Sequence, residues 1–145
     1  MTKAYERAVS LLARREHGAK ELSIKLEQKG FSRAESQEAL TQCQRLDLQS
    51  EERFVESFIR VRIGQGYGPL KILQELKIKG VDSDLIHQQL SLEEEHWFTH
   101  ALAVWQKKFR DVDCLSFSEL QKQQRFLLYR GFSSDIIARV VKELA

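Results

Sequence analysis

The sequence predicts an all-α fold of three tandem three-helix repeats, helix-turn-helix-like, elongated and curved. Three observations lead there. Leu, Glu, Lys, Arg, Gln and Ala fill the segments between only seven glycines and one proline in 145 residues, which is a helical composition. Lys29-Gly30-Phe31-Ser32, Lys79-Gly80-Val81-Asp82 and Arg130-Gly131-Phe132-Ser133 repeat one order: cation, glycine, apolar residue, capping residue. Their glycines stand 50 and 51 residues apart, with Leu26, Leu76 and Leu127 four residues before and Leu40, Leu90 and Val141 ten after. A near-constant period with matching turn chemistry marks a tandem repeat.

The repeats are read as 1–49, 50–91 and 92–145. In the first, helices are expected near 3–15, 18–28 and 32–45, packed through Ala8, Leu11 and Leu12, then Leu22, Ile24 and Leu26. Ser32 and Glu35 have capping-box spacing for the third helix. In the second, helices are expected near 50–63, 69–79 and 82–90. Phe54, Val55, Phe58, Ile59 and Ile63 recur at three- and four-residue intervals and give its first helix a buried face. The third repeat opens on Glu93-Glu94-Glu95, favourable at a helix N-terminus, and its first helix runs from about 93 to 109. Asp111 to Ser116 then replaces the glycine turn before helices near 117–130 and 133–144.

The stretch from Gly64 to Val81 is the richest in signals. Gly64, Gly66 and Gly68 reach backbone conformations that cost other residues, and Pro69 fits the first position of a helix, where its missing N–H is not needed. Leu70, Ile72, Leu73 and Leu76 give that helix an apolar stripe, and Gly80 stops it in a left-handed turn. His17-Gly18 falls opposite Tyr67-Gly68 when the repeats are counted back from Gly30 and Gly80, so the preceding turn repeats too.

Two helices joined by a tight turn make nucleic-acid binding the first functional thought. The net charge of +2 supplies no whole-molecule attraction of the kind a strongly basic DNA-binding domain has. Cations are gathered locally instead. Arg60, Arg62, Lys71, Lys77 and Lys79 face one acid, Glu75, between residues 60 and 79. Lys107, Lys108, Arg110, Lys122, Arg125 and Arg130 face three acids between 105 and 130. Taken alone, such charges are ordinarily solvated helix faces. Arg60 and Arg62 directly before the three-glycine turn, with Tyr67 in it, form a combination suited to phosphates or an acidic partner.

Catalytic chemistry finds little support. The glycine turn lacks the G-x-x-x-x-G-K-[ST] order of a nucleotide loop and follows no strand. His96 and His100 are four apart without the H-E-x-x-H context of a metal site, and His17 and His87 are isolated. No cofactor and no metal are expected. Cys43 and Cys114, far apart and without C-x-x-C spacing, read as reduced thiols on packing faces, with a disulfide the minor alternative. Trp97, Phe98, Trp105 and Phe109 have core spacing, although Trp105 beside Lys107 and Lys108 could stack a base. No apolar run is long enough to cross a bilayer and the first residues form no signal peptide, so the expected location is the cytoplasm.

Arg60-Val61-Arg62 with Gly64, Gly66-Tyr67-Gly68-Pro69, Ile72, Glu75-Leu76 and Lys79-Gly80-Val81 resembles the central motif of the bacterial RecX proteins. Arg125 to Phe132 resembles their C-terminal motif, and Ala4 to Leu12 with Glu21-Leu22 and Lys29-Gly30-Phe31 their beginning. The resemblance implies three three-helix repeats and a non-enzymatic modulator of the RecA recombinase, mostly an inhibitor. Such a protein binds the RecA filament on single-stranded DNA, lies along its groove, and suppresses ATPase, strand-exchange and coprotease activities in DNA repair and the SOS response. The candidate contact residues are Arg60, Arg62, Tyr67, Lys71, Lys77, Lys79, Lys107, Lys108, Arg125 and Arg130, with Gly30, Gly64, Gly66, Gly68, Pro69, Gly80 and Gly131 as structural turns. The expected partners are the filament and DNA itself, met by a monomer. The alternative is a stand-alone helix-turn-helix DNA-binding protein.

Overall fold

The computed structural model describes residues 2–109 and 116–144, and the regular structure among them is helical. It comprises α1 (Lys3–Arg14), α2 (Ala19–Gln28), α3 (Arg33–Arg45), α4 (Glu51–Gly64), α5 (Pro69–Ile78), α6 (Ser83–Ser91), α7 (Trp97–Phe109), α8 (Phe117–Tyr129) and α9 (Ser134–Leu144). The expected turn at 111–115, Arg110 and Cys114 lie outside the described residues. Chain contacts group into two compact units: residues up to Phe58 with Leu76–Leu85, and Ile59–Glu75 with the residues from Ile86 onward.

In the first unit α1, α2 and α3 pack on one another around Tyr5, Ala8, Leu11, Leu22, Leu26, Leu40 and Cys43. Each side chain of leucine size taken from water contributes about 1.5–3 kcal/mol, so this core dominates the unit's stability. Burial pushes the Cys43 thiol up, as befits a packing residue. Ile24, expected in the core, is 42% exposed: α2 buries Leu22 and Leu26, one turn apart, and Ile24 points away from both. Thr2 caps α1 through the Tyr5 N–H, and Ser32 and Glu35 form the expected capping box.

Local chemistry ends the helices as the spacing predicts. The N–H of Phe31, Val81 and Phe132 bonds back to the carbonyl of Leu26, Leu76 and Leu127, and Gly30, Gly80 and Gly131 between them take positive φ. This is the Schellman closure, in which glycine takes the left-handed residue at least cost; Asp47, at φ +60, takes the same place after α3, where Leu48 N–H bonds to Cys43 O. A fourth glycine copy follows α4, where Tyr67 N–H bonds to Arg62 O and Gly66 has φ +89. Gly64, expected in the turn, instead closes α4 as a helical residue, and a Cβ there would meet nothing. The chain from α6 to α7 also differs from expectation. Residues 94–96 form a 3-10 turn with His96 N–H bonded to Glu93 O, so α7 proper begins at Trp97.

His17, isolated in the sequence, is buried in the first unit. Its Nδ1 lies 3.0 Å from Arg15 O and its Nε2 3.1 Å from Lys25 Nζ. A carbonyl accepts and an ammonium donates, so the ring is the neutral Nδ1–H tautomer. Its own carbonyl accepts from Gln49 Nε2, and the neighbouring Ala19 N–H donates to Glu51 Oε1 at the start of α4.

In the second unit α7, α8 and α9 pack mutually, burying Trp97, Ala101, Leu127, Phe132, Ile137 and Val140. The start of α5 is built differently from that of α2. Gly68 N–H donates to Arg130 O at 2.7 Å and Leu70 N–H to Gly131 O at 2.9 Å. Two unpaired donors of an α5 N-terminus are thus satisfied by carbonyls at the end of α8, and the positive end of the α5 dipole meets the negative end of that of α8. The approach is backbone on backbone. A Cβ on Gly68 would lie 2.6 Å from the Gly131 carbonyl, and one on Gly131 2.5 Å from Lys71 Cβ. Leu70, expected in the apolar stripe of α5, is 51% exposed, because this seating turns Ile72 and Leu76 inward.

Two measurements check these assignments. Gly131→Ala is expected to cost about 3 kcal/mol in urea unfolding, from left-handed strain plus a clash with backbone, whereas Gly64→Ala should be neutral or stabilise by up to about 1 kcal/mol. Equal effects would contradict the close approach. Burial holds the His17 pKa below its ordinary value despite the opposing bond to Arg15 O. Its contribution is therefore full above about pH 6.5 and is lost as pH falls from there toward the lowered folded value. Thermal unfolding should decline over that window in the native chain and decline less in His17→Gln; identical profiles would remove His17 as the cause.

Candidate functional site

The α4 turn uses Schellman geometry for a different purpose. In the three repeat turns the two residues joined by the long hydrogen bond are apolar, Leu with Phe or Val. After α4 the same two places hold Arg62 and Tyr67, with the guanidinium 5.2 Å from the ring centroid. The backbone that closes the helix therefore sets a cation against an aromatic ring. Arg62 is further held by Glu75 Oε2 at 2.9 Å and by Gln65 Oε1 at 2.8 Å.

Two more cations converge on Tyr67 through the α5–α8 seating. Lys71, in the first turn of α5, places Nζ 5.0 Å from the ring centroid, and Arg130, the C-cap of α8, places its guanidinium carbon at 5.1 Å. Arg130 also lies 5.0 Å from the ring of Phe126, one helical turn before it, and donates from Nη1 to Gln65 O at 3.0 Å. It is thus placed against two rings and a carbonyl, a preorganised guanidinium. Lys108 Nζ lies 5.6 Å from Phe126, which meets Phe109 edge-on at 5.4 Å. Among the described residues Lys71, Lys107, Lys108 and Arg130 form no ion pair, so Glu75 on Arg62 is the carboxylate that offsets this cluster.

A cleft of about 450 Å³ opens beside it, with Lys107, Lys108 and Arg130 among its walls. The structure so brings together Arg62, Tyr67, Lys71 and Arg130, with Lys107 and Lys108 on the Phe126 side. It leaves out four other candidates. Arg60 is exposed and sits two residues, or about 200°, around α4 from Arg62. Arg125 lines a separate groove with Leu128 and Ile137. Lys77 and Lys79 belong to the first unit, where Lys79 Nζ lies 5.7 Å from the Phe58 ring. Trp105 is held by its edge: its indole N–H donates to Gln123 Oε1 at 2.8 Å, and its ring centroid lies 6.3 Å from that of Phe109. Gln65 and Phe126 were missed, although the four-residue step from Phe126 to Arg130 on one helix face signals the second.

His96 and His100 stand 6.3 Å apart edge-on, and His100 Nε2 meets Glu93 at 3.2 Å. Among the described residues no group of three or more His, Cys, Asp or Glu is placed to hold a metal ion, and no helix is long and apolar enough to cross a membrane.

Fold and cluster define the class: an all-helical protein of three-helix units that presents a joined cation and aromatic surface. Family models for the first, second and third three-helix domains of RecX match residues 4–43, 50–90 and 94–141. The chain is 60% identical over 144 residues to the regulatory protein RecX of Legionella pneumophila, covering 99% of this chain and 96% of that one. To the regulatory protein RecX of Pseudomonas entomophila it is 42% identical over 134 residues, covering 92% and 86%. The crystal structure of RecX from Lactobacillus salivarius aligns with a TM-score of 0.85 at 26% identity, over 98% of this chain and 94% of that one. A second RecX crystal structure aligns at 0.79 with 21% identity, a likeness of fold. The chain belongs to the RecX family of regulatory proteins.

If the ring organises the cluster, Tyr67→Phe should leave urea unfolding unchanged, while Tyr67→Ala should lower stability by about 1–2 kcal/mol. A loss of similar size in both variants would mean that the hydroxyl, not the ring face, is what matters.

Proposed function

We propose that this chain is a non-catalytic modulator of the RecA recombinase, an inhibitor that binds the RecA filament on single-stranded DNA. It acts as a cytoplasmic monomer without a cofactor and suppresses the ATPase, strand-exchange and coprotease activities of the filament. Membership of the RecX family supports RecA as the target. The observation that carries the mode of action is the convergence of Arg62, Lys71 and Arg130 on Tyr67, with Lys107 and Lys108 beside them and, among the described residues, one carboxylate, Glu75, paired within the cluster. Such a surface, fixed by backbone hydrogen bonds, is suited to the phosphates of filament DNA and to acidic groups of the protein coat.

The stand-alone DNA-binding reading is weakened by the third helix of each repeat. A recognition helix contacts bases through the residues near its N-terminus. Here those exposed positions include Glu35 and Glu38 in α3, Asp82 and Asp84 at α6, and Asp135 in α9. Carboxylates there repel the duplex backbone.

The test is ATP hydrolysis by RecA on single-stranded DNA with this chain at a small fraction of the RecA concentration. Suppression is expected at that ratio, and Lys107→Glu with Lys108→Glu should raise the concentration required by about tenfold. Suppression only when the protein saturates the DNA would mean competition for phosphates, and a base-specific footprint on naked duplex DNA would favour the alternative.

A further inference from the structure

The cleft beside Tyr67 has the chemistry of a ligand site in its own right. Its volume, about 450 Å³, falls within the range of small-molecule pockets. One part of its wall is cationic: Lys107 and Lys108 from the last turn of α7, and Arg130 from the end of α8. Another is apolar: Ile63, Val104 and Phe126. Among the described residues no carboxylate lines it, and Glu93 lies 3.2 Å from Nε2 of the lining His100. Arg130 enters preorganised, its Nη1 committed to Gln65 O and its planar faces set against Tyr67 and Phe126. The rim at Gly66 is backbone in the left-handed region, without a side chain to fill the opening.

Three cations that form no ion pair among the described residues, set beside an apolar wall, ask for a ligand that is anionic at one end and flat or apolar at the other. An inorganic anion would leave the Ile63 and Val104 wall wet, and an aliphatic ligand would leave the cations unanswered. We infer that the cleft holds one nucleotide unit, its phosphate between Lys107, Lys108 and Arg130 and its base against Ile63 and Val104. This deepens the regulatory reading and rests on it in taking single-stranded DNA, rather than a free nucleoside phosphate, as the source of that unit. The site would seat one displaced base while the remaining surface meets phosphates.

The experiment measures fluorescence anisotropy of labelled oligo-dT on the full chain at several salt concentrations, with competition by dTMP, an abasic oligonucleotide and inorganic phosphate. Binding of oligo-dT is expected, with the abasic strand at least about tenfold weaker. Lys107→Ala with Lys108→Ala should weaken oligo-dT binding and reduce the salt slope by about 0.7, the share of one single-strand phosphate contact. Val104→Trp, which fills the cleft and leaves every cation in place, should weaken oligo-dT while sparing the abasic strand; circular dichroism checks its fold, and Val104→Leu serves if the tryptophan variant is unfolded. Stronger competition by dTMP than by an equal nucleotide concentration of oligo-dT would assign the cleft to free nucleotides and overturn the DNA source. Equal binding of abasic and normal strands, or an unaltered affinity in the folded cleft-filling variant, would overturn the nucleotide site. RecA inhibition is followed in the same variants: loss of oligo-dT binding with inhibition intact removes the cleft and leaves the regulatory reading standing, whereas nucleotide binding without any inhibition does the reverse.

Discussion

The second unit depends on one backbone contact, the seating of the α5 N-terminus on the glycine turn that ends α8. Two N–H groups of Gly68 and Leu70 find the carbonyls of Arg130 and Gly131, and the strands of backbone come so near that neither glycine tolerates a Cβ. The net gain of two such bonds is a few kcal/mol at most, but leaving buried donors unmade would cost about as much again. Its larger consequence is positional. Lys71 sits in the first turn of α5 and Arg130 caps α8, so the contact that closes the fold also delivers two cations from distant parts of the sequence to one ring.

The contrast with the first unit shows what has changed between repeats. There the corresponding helix start is served by carboxylates, Glu21 on Gly18 N–H and Glu51 on Ala19 N–H, and Arg15 pairs with Glu21 at 2.7 Å. Acid at a helix N-terminus is the ordinary solution. At α5 the N–H groups are met by neutral carbonyls, and the position matching Glu21 is Lys71. Satisfying the donors with backbone frees the side chains of this turn from capping and lets a lysine stand where a carboxylate would otherwise be needed. The cationic surface is a consequence of how the helix is capped.

Sequence alone carried the fold further than the site. The repeat turns were legible at Gly30, Gly80 and Gly131 because Schellman closure is local chemistry: one left-handed glycine, one apolar residue after it, one leucine before. Capping at Ser32 and Asp82 was legible for the same reason. Ile24 and Leu70 were misplaced because apolarity shows that a residue may be buried, while only the packed neighbours decide which side of the helix is inside. In the cluster, Arg60 and Arg62 looked equivalent as near neighbours, yet helical phase separates them and only Arg62 occupies the position that the turn's hydrogen bond sets against Tyr67. The meeting of Tyr67 with Arg130 is a tertiary fact across more than sixty residues, and no spacing rule within either segment contains it.

The central claim is that this cluster is the face turned toward the RecA filament. Acetylation footprinting read by mass spectrometry tests it at the side chains themselves, comparing the free chain with the chain on RecA-coated single-stranded DNA. The account predicts that Lys71, Lys107 and Lys108 lose reactivity on the filament while Lys3 and Lys29, exposed in the first unit, keep theirs. Unchanged reactivity of all three, with protection at Lys3 and Lys29 instead, would contradict it.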